Sequence, residues 1–320
     1  MSEICLMFTS VGRRVELIRH FLKFADRHPG RVRIIGTEID RNAPAAQELG
    51  SGLRLVPRSN SPEFLDALRA VCEQERVSAV FPLIDPDVFA FSQVDLRRGT
   101  LSREAGAIVS DKWLTYEWLS ERGIPTIPTW LPSGDAAEAP AFPLFMKPRH
   151  GSAAENSFIV RDAAQYAFFT TYIPGPVAQA FLPGPEVTVD VVVGSSGRIL
   201  GVAQRRRLAV RGGEVARGEI VHAPEISRLS RTIANALEVR CPITVQGMYD
   251  PSGNFRVSEI NGRLGGGIPL TVAAGLPLAQ LLVDSWSGGD PHEFAESDLA
   301  VGLQMARYDA AHFFTPRGEA

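Results

Sequence analysis

The first hundred residues alternate two hydrophobic rhythms. Ile4–Phe8 is a short continuous apolar run, the pattern of a strand buried on both faces of a parallel sheet. Over Arg14–Phe24 apolar residues recur at helical spacing, with Val15, Leu17/Ile18 and Phe21/Leu22 along one side. Val32–Ile35 reads as the next strand and runs into Gly36-Thr-Glu-Ile-Asp40. Pro62–Cys72 reads as a helix, and Ala79–Ile84 as a strand before Asp85-Pro-Asp87. Strand and helix in this rhythm predict a doubly wound parallel sheet. Asp40 and Asp85 then stand at the carboxyl ends of strands, where open sheets bind ligands.

Further on the rhythm changes. Ser110-Asp-Lys112 opens a helix that runs to about Glu121, with Asp111 placed to suit the helix dipole and Gly123-Ile-Pro125 to stop it. The stretch Pro132–Pro143 reads as a loop. After it the pattern predicts mostly strands: Phe142–Lys147, Ser157–Val160, Val177–Phe181, Glu186–Val193 and Ile199–Gln204, with Gly194–Gly197 as a hairpin turn. Ile226–Leu237 reads as a helix. Thr244–Tyr249 and Asn254–Glu259 flank Asp250-Pro-Ser-Gly253, a second hairpin signal, and Thr271–Ser285 is helical apart from a break at Gly275-Leu-Pro277. A doubly wound module followed by a region of hairpins means two unlike modules, with no internal repeat.

Composition narrows the function classes. The chain has 320 residues, 45% hydrophobic and 22% charged, as in a globular protein of about two domains. A net charge of -3 supplies no basic field for nucleic acid or an anionic membrane. Cys5, Cys72 and Cys241 match no metal-binding spacing and read as reduced thiols. The N-terminus lacks a secretory signal pattern and no apolar run reaches about 18 residues. A cytoplasmic location is the expectation.

The chemistry concentrates in Val257-Ser-Glu-Ile-Asn-Gly-Arg-Leu-Gly-Gly-Gly267. On a strand, Glu259 and Asn261 share a face, and their hard oxygens suit Mg²⁺. Gln246, on the preceding strand of the same hairpin, falls near Glu259 and offers a third oxygen. Arg263 leaves the strand end as a fork of donors for phosphate, and the glycines admit close backbone approach to an anion. Glu259 and Asn261 alone fit a surface hairpin equally well; Arg263 and the glycine run tip the balance to a ligand site. Lys147 ends an apolar strand and is followed by Pro148-Arg-His-Gly-Ser-Ala-Ala154, small residues that suit a flap over phosphates. The strand edge Val177–Leu182 offers a purine platform, and Glu186 a carboxylate for ribose hydroxyls.

These segments together resemble the ATP-grasp ligases, closest to the carbamoyl-phosphate-synthase-like, carboxylate–amine ligase type. Ser110-Asp-Lys112 with Gly123-Ile-Pro125 resembles the family's opening helix, and Phe142–Pro148 its ATP-lysine strand. Gln179-Ala-Phe-Leu-Pro-Gly-Pro-Glu186 resembles its adenine hinge and ribose carboxylate. Val245-Gln246 with Glu259-Ile-Asn-Gly-Arg263 resembles its metal hairpin, and Gly275–Ala279 the helix after it. The resemblance implies an α/β and α+β architecture: a Rossmann-like pre-ATP-grasp domain over 1–109, a small ATP-grasp subdomain with the phosphate flap over 110–182, and a large subdomain with the metal site over 183–320. It implies that Lys112 and Lys147 hold ATP phosphates under a flap containing Gly151 and Ser152. Gln179, Phe181 and Leu182 would frame adenine, and Glu186 the ribose. Gln246, Glu259 and Asn261 would hold one or two Mg²⁺, with Mn²⁺ as an alternative. Arg263 would stabilise the moving phosphoryl group. Three departures stand out: a flap with few glycines, Gln179 where many members have Glu, and Gly262 where proline is frequent.

The chemistry so implied is ATP-driven amide or peptide bond formation through an acyl phosphate, on small carboxylate and amine substrates, with a homodimer expected at the family level. Arg205, Arg207 and Arg211, read as following a strand, are candidates to grip the carboxylate or acyl phosphate, with a solvated basic loop as the alternative. Gly212–Glu219 reads as a mobile loop beside the acceptor. Asp40, Asp85 and Asp87 are candidates for a substrate ammonium. Two other classes compete. One is a non-catalytic ATP-binding regulatory module of the same fold; the intact set Lys147, Gln246, Glu259, Asn261 and Arg263 argues against it. The other is a dinucleotide-dependent oxidoreductase, which needs Gly-x-Gly-x-x-Gly after the first strand. The chain has Thr9-Ser-Val-Gly-Arg-Arg14 there.

Overall fold

Three sheets are laid down in chain order in a computed structural model that describes residues 3–94, 99–133, 139–151 and 154–315. The first is parallel, with spatial order Leu53–Leu55, Val32–Glu38, Ile4–Thr9, Ala79–Pro82. Every residue of Ile4–Thr9 is buried. Leu6 and Phe8 pack into one core with helix Val15–Asp26, while Cys5 and Met7 pack into another with helix Phe64–Gln74. Two covered faces explain the continuous apolar run, and the doubly wound reading stands.

The second sheet is antiparallel, ordered Thr129–Trp130, Pro176–Ala180, Leu144–Pro148, Phe158–Val160. It has its own small core of Leu144, Met146, Val160, Tyr166, Ile173 and Ala178. The third sheet has six antiparallel strands, ordered Phe255–Asn261, Ile243–Tyr249, Glu186–Val193, Ile199–Arg211, Glu214–Val221, Gln304–Ala306. Val187, Val189, Val191 and Val193 fill the core on one side of it. Val192 on the other side joins the core that also contains Leu6, Phe8 and Phe21. The first and third sheets therefore share one core, and the small sheet stands apart.

Both predicted hairpin turns form, at Gly194–Gly197 and at Asp250–Gly253, where the Asp250 carboxylate accepts from the backbone of Ser252 and Asn254. The helix 112–121 begins where expected, with Asp111 accepting from the N–H groups of Trp113 and Leu114. Several expectations need correction. Helix Ala163–Tyr172 lies inside the stretch read as strands; it is capped by Asp162 but buries only Tyr166, so it has no apolar stripe to read. Helices Asp85–Ser92 and Arg103–Ser110 were not anticipated. Strand Ile199–Arg211 continues well past Gln204, and Gly212–Glu219, expected as a loop, is mostly strand Glu214–Val221. Gly212 and Gly213, at φ +58° and +75°, make the two-residue turn between them. Arg205 and Arg207 are thus strand residues rather than loop residues.

Cys5, Cys72 and Cys241 are free and buried. Among the described residues no helix is long and apolar enough to cross a membrane.

Candidate nucleotide and substrate site

Register across the third sheet lays a polar strip along one face. Glu259 lies opposite Gln246, Gln246 opposite Thr188, and Thr188 opposite Arg205, so four strands contribute one row. A second row runs Asn261, Thr244, Asp190. Glu186, on the same face as Thr188 and Asp190, forms an ion pair with Arg207. The alternation that buries the valines of strand Glu186–Val193 on the far side therefore places Glu186, Thr188 and Asp190 on this side.

The small sheet supplies the opposite wall. Between the two lies a cleft of about 370 Å³, within the usual range for small-molecule sites. Ile127, Phe145, Phe181, Leu182 and Met248 make one part of its lining apolar. Lys112, Lys147, Glu186, Gln246, Glu259 and Arg263 make another part polar. Gly151 and Gln179 also line it. Lys147 sits in strand Leu144–Pro148, 7% exposed, with its Nζ 4.0 Å from Glu259. Burial pushes its pKa down to about 8; Glu259 pulls the other way and Lys112 adds to the fall. Lys112 Nζ donates to the carbonyl of Gly151 at 2.9 Å, joining the opening helix to the flap. The buried Gln179 donates through Nε2 to Thr129 Oγ1 at 2.9 Å, so part of its amide is committed to the sheet edge. Ser152, the other expected flap residue, lies outside the described residues.

Arg263 does not stand free. Its guanidinium donates to both carboxylate oxygens of Asp85 at 2.7 and 2.9 Å, and also to Asn261 Oδ1 at 3.3 Å. Asp85 is therefore occupied by an arginine rather than open to a substrate ammonium. Asp87 is fully buried and accepts from Thr9 Oγ1 at 2.6 Å, while Asp40 is exposed and accepts from Asn42 N–H. Arg205, 2% exposed, is held by two 2.7 Å bonds to Asp190. Arg211 pairs with Asp309 on the surface.

A smaller cavity of about 180 Å³ adjoins the cleft. The two share Asp85, Arg207, Gly213, Gln246 and Arg263 in their walls. Gly265, Gly266 and Gly267 border this smaller cavity, and arginines rather than open space face them. A Cβ on Gly266 would fall 2.3 Å from Arg14 Nη1, and one on Gly267 would fall 1.9 Å from Arg205 Nη1. The glycine run makes room for guanidinium groups. Arg14 was missed at the level of sequence: it belongs to the turn after the first strand, far from any motif, and no local pattern marks it.

Among the described residues no group of three His, Cys, Asp or Glu gathers to hold a metal. The donor set here is one carboxylate, Glu259, with the amide oxygens of Gln246 and Asn261. Asn261 Nδ2 donates to Gln246 Oε1 at 3.3 Å, which holds the two amides side by side. A set with so little charge suits a hard cation that completes its shell with water and phosphate oxygens.

Comparison with known proteins gives two family matches. Residues 174–307 match the family model described as ATP-grasp in the biosynthetic pathway with Ter operon, and residues 6–100 match the PylC-like, N-terminal domain. No curated protein sequence matches. Among solved structures, biotin carboxylase from Campylobacter jejuni superposes with a TM-score of 0.72 at 17% identity, covering 95% of this chain and 75% of that one. Carboxyaminoimidazole ribonucleotide synthase from Aspergillus clavatus, solved with ATP, gives 0.74 at 16%, covering 95% and 81%. L-amino acid ligase from Bacillus licheniformis gives 0.66 at 18%, covering 89% and 75%.

Proposed function

We propose that this chain, whose residues 174–307 match an ATP-grasp family model and whose residues 6–100 match the PylC-like, N-terminal domain, is an ADP-forming ligase of the ATP-grasp superfamily that joins a small carboxylate to an amine. The observation that carries this reading is one cleft that joins an apolar wall to Lys147, Gln246, Glu259 and Arg263. Adenine fits against Phe145, Leu182 and Met248, with Gln179 and Phe181 at the hinge. Glu186 takes the ribose hydroxyls beside its partner Arg207. Lys112 and Lys147 hold the phosphates under the flap at Gly151.

In the first step a carboxylate oxygen of the substrate attacks the γ-phosphorus of ATP. The bond from that phosphorus to the β–γ bridging oxygen breaks, and ADP leaves. In the second step a neutral amine attacks the carbonyl carbon of the acyl phosphate; phosphate leaves, and the amine's proton passes to solvent. Both steps bring anions together, so fixed positive charge is the main catalytic need. Arg263 supplies it beside the moving phosphoryl group, kept in place by Asp85. Gln246, Glu259 and Asn261 would hold one or two Mg²⁺, which neutralises phosphate charge when bound. Arg205 acts by position, as a buried support under the glycine run. The domain division at 109/110 and 182/183 belongs to the same reading.

The test is ADP release with Mg-ATP against amino acids and carboxylic acids, singly and in pairs. The expected result is release that requires one particular pair. Tight ATP binding with no ADP from any pair would favour an ATP-binding regulatory module instead.

A further inference from the structure

The smaller cavity has more positive than negative charge around it. Arg14, Arg205, Arg207 and Arg263 line it, and Arg307 joins them through Glu214. Asp190 satisfies Arg205, Glu186 pairs with Arg207, and Asp85 holds Arg263. Arg14 and Arg307 share the single carboxylate of Glu214.

The imbalance falls on Arg14. Its Nη1 lies 3.0 Å from Glu214 Oε1, but the atom is buried and makes no aligned hydrogen bond. Among the described residues its Nη2 donates to the carbonyl of Leu83, at 3.4 Å. Arg307, by contrast, donates to Glu214 Oε2 at 2.9 Å. A buried guanidinium whose Nη1 makes no hydrogen bond, at the edge of a cavity, suits a planar anion. Size narrows the class. A cavity of about 180 Å³ lies below the roughly 300–1,000 Å³ of drug-sized ligand sites. That favours a molecule of about amino-acid size over a peptide or nucleotide. The walls shared with the ATP cleft, Asp85, Gln246 and Arg263 among them, put such a molecule beside the phosphate end.

We propose that Arg14, contributed by the first module, anchors a carboxylate of the substrate, and that this substrate is of amino-acid size. The proposal rests on the ligase reading for its place in a reaction. Glu214 competes with the substrate for Arg14, so the two residues should respond to substitution with opposite sign.

Calorimetry on the full chain tests this, with Mg²⁺ and a non-hydrolysable ATP analogue and again without nucleotide. The probes are acetate, glycine, L-alanine, L-aspartate and L-glutamate, with glycinamide and L-alaninamide as partners lacking the carboxylate. We expect at least one carboxylate to bind and the amides to bind about tenfold or more weakly. Arg14→Gln should weaken the carboxylate about tenfold while leaving the ATP analogue within about twofold. Glu214→Gln should tighten it about threefold. No carboxylate binding in the wild type, unchanged binding in Arg14→Gln, or weakening in Glu214→Gln equal to that in Arg14→Gln would each overturn the anchor. Carboxylate binding through Arg14 with no ADP from any pair keeps the anchor and removes the ligase reading. ADP release whose KM for the carboxylate ignores Arg14→Gln removes the anchor and keeps the ligase.

Discussion

Lys147 is the residue at which pH should reach the chemistry. Its ordinary value of 10.5 falls to about 8 because the ammonium is buried. The side chain is charged below that pH and neutral above it, so phosphate binding loses a cation as pH rises. We expect kcat/KM for ATP to be level up to about pH 7.5 and to fall about tenfold per pH unit well above 8. Lys147→Arg, which stays protonated, should abolish that limb whatever its effect on the absolute rate. A limb near 8 that survives in Lys147→Arg would assign it elsewhere. Glu259 makes a second test at this scale. Its side chain is 27% exposed and its nearest cation is Lys147 at 4.0 Å, so the fold does not depend on it. Glu259→Gln should keep the melting temperature within about 2 °C. It should lower turnover by at least about a hundredfold, because the one carboxylate of the metal set is gone. Turnover at the wild-type rate would end the metal assignment. Residues of this kind were legible in sequence because strand periodicity puts Glu259 and Asn261 on one face. Their partners were not. Asp85 meets Arg263 from 178 residues away, and no local rule predicts which distant carboxylate will hold a given arginine.

At the level of elements, the hairpin that carries Gln246 and Glu259 was legible and the arginine strand was not. Asp250-Pro-Ser-Gly253 announces its own turn, and the register that follows sets Gln246 opposite Glu259. Gln204-Arg-Arg-Arg207 has no apolar alternation, so it reads as the end of a strand. It stays in the sheet because Arg205 and Arg207 face Asp190 and Glu186 on the neighbouring strand. The glycine run after the hairpin was read as an approach for an anion, and in the structure the guanidinium groups of Arg14 and Arg205 lie against it. That difference has a measurable consequence. Gly253 sits at φ +81° with nothing within 4 Å of an added Cβ, so Gly253→Ala should cost only backbone strain, about 1 kcal/mol. Gly267 would place its Cβ 1.9 Å from Arg205 Nη1, and Arg205 cannot yield without leaving Asp190. Gly267→Ala should therefore cost about 2–3 kcal/mol. Urea denaturation of the two variants decides it: equal losses would mean that Arg205 moves aside without penalty.

The whole molecule divides unequally. The parallel sheet and the six-stranded sheet are one body, because Phe8, Phe21, Val192, Leu200, Ile220 and Leu282 belong to a single core. Arg263–Asp85 and Arg14–Glu214 cross the same boundary in polar form. The small sheet has a separate core and touches the rest through few backbone bonds. These include Ile127 N–H to Val257 O, Val257 N–H to Pro125 O and Lys112 N–H to Arg149 O, with the Arg149–Asp111 ion pair beside them. A body with a small core of its own opens at lower free energy than one built into the main core. The cleft lies between the two bodies, with Lys147 on one and Glu259 and Arg263 on the other. A triphosphate that engages both sides adds bonds only across that gap. Hydrogen exchange should therefore slow over 144–180 when Mg²⁺ and a non-hydrolysable ATP analogue are added, and stay unchanged over 4–38, whose protection is already set by the shared core. Equal slowing in both regions would mean that the molecule opens as one unit. Slowing in neither, at saturating analogue, would place the nucleotide outside this cleft and take Lys147, Glu259 and Arg263 out of the site together.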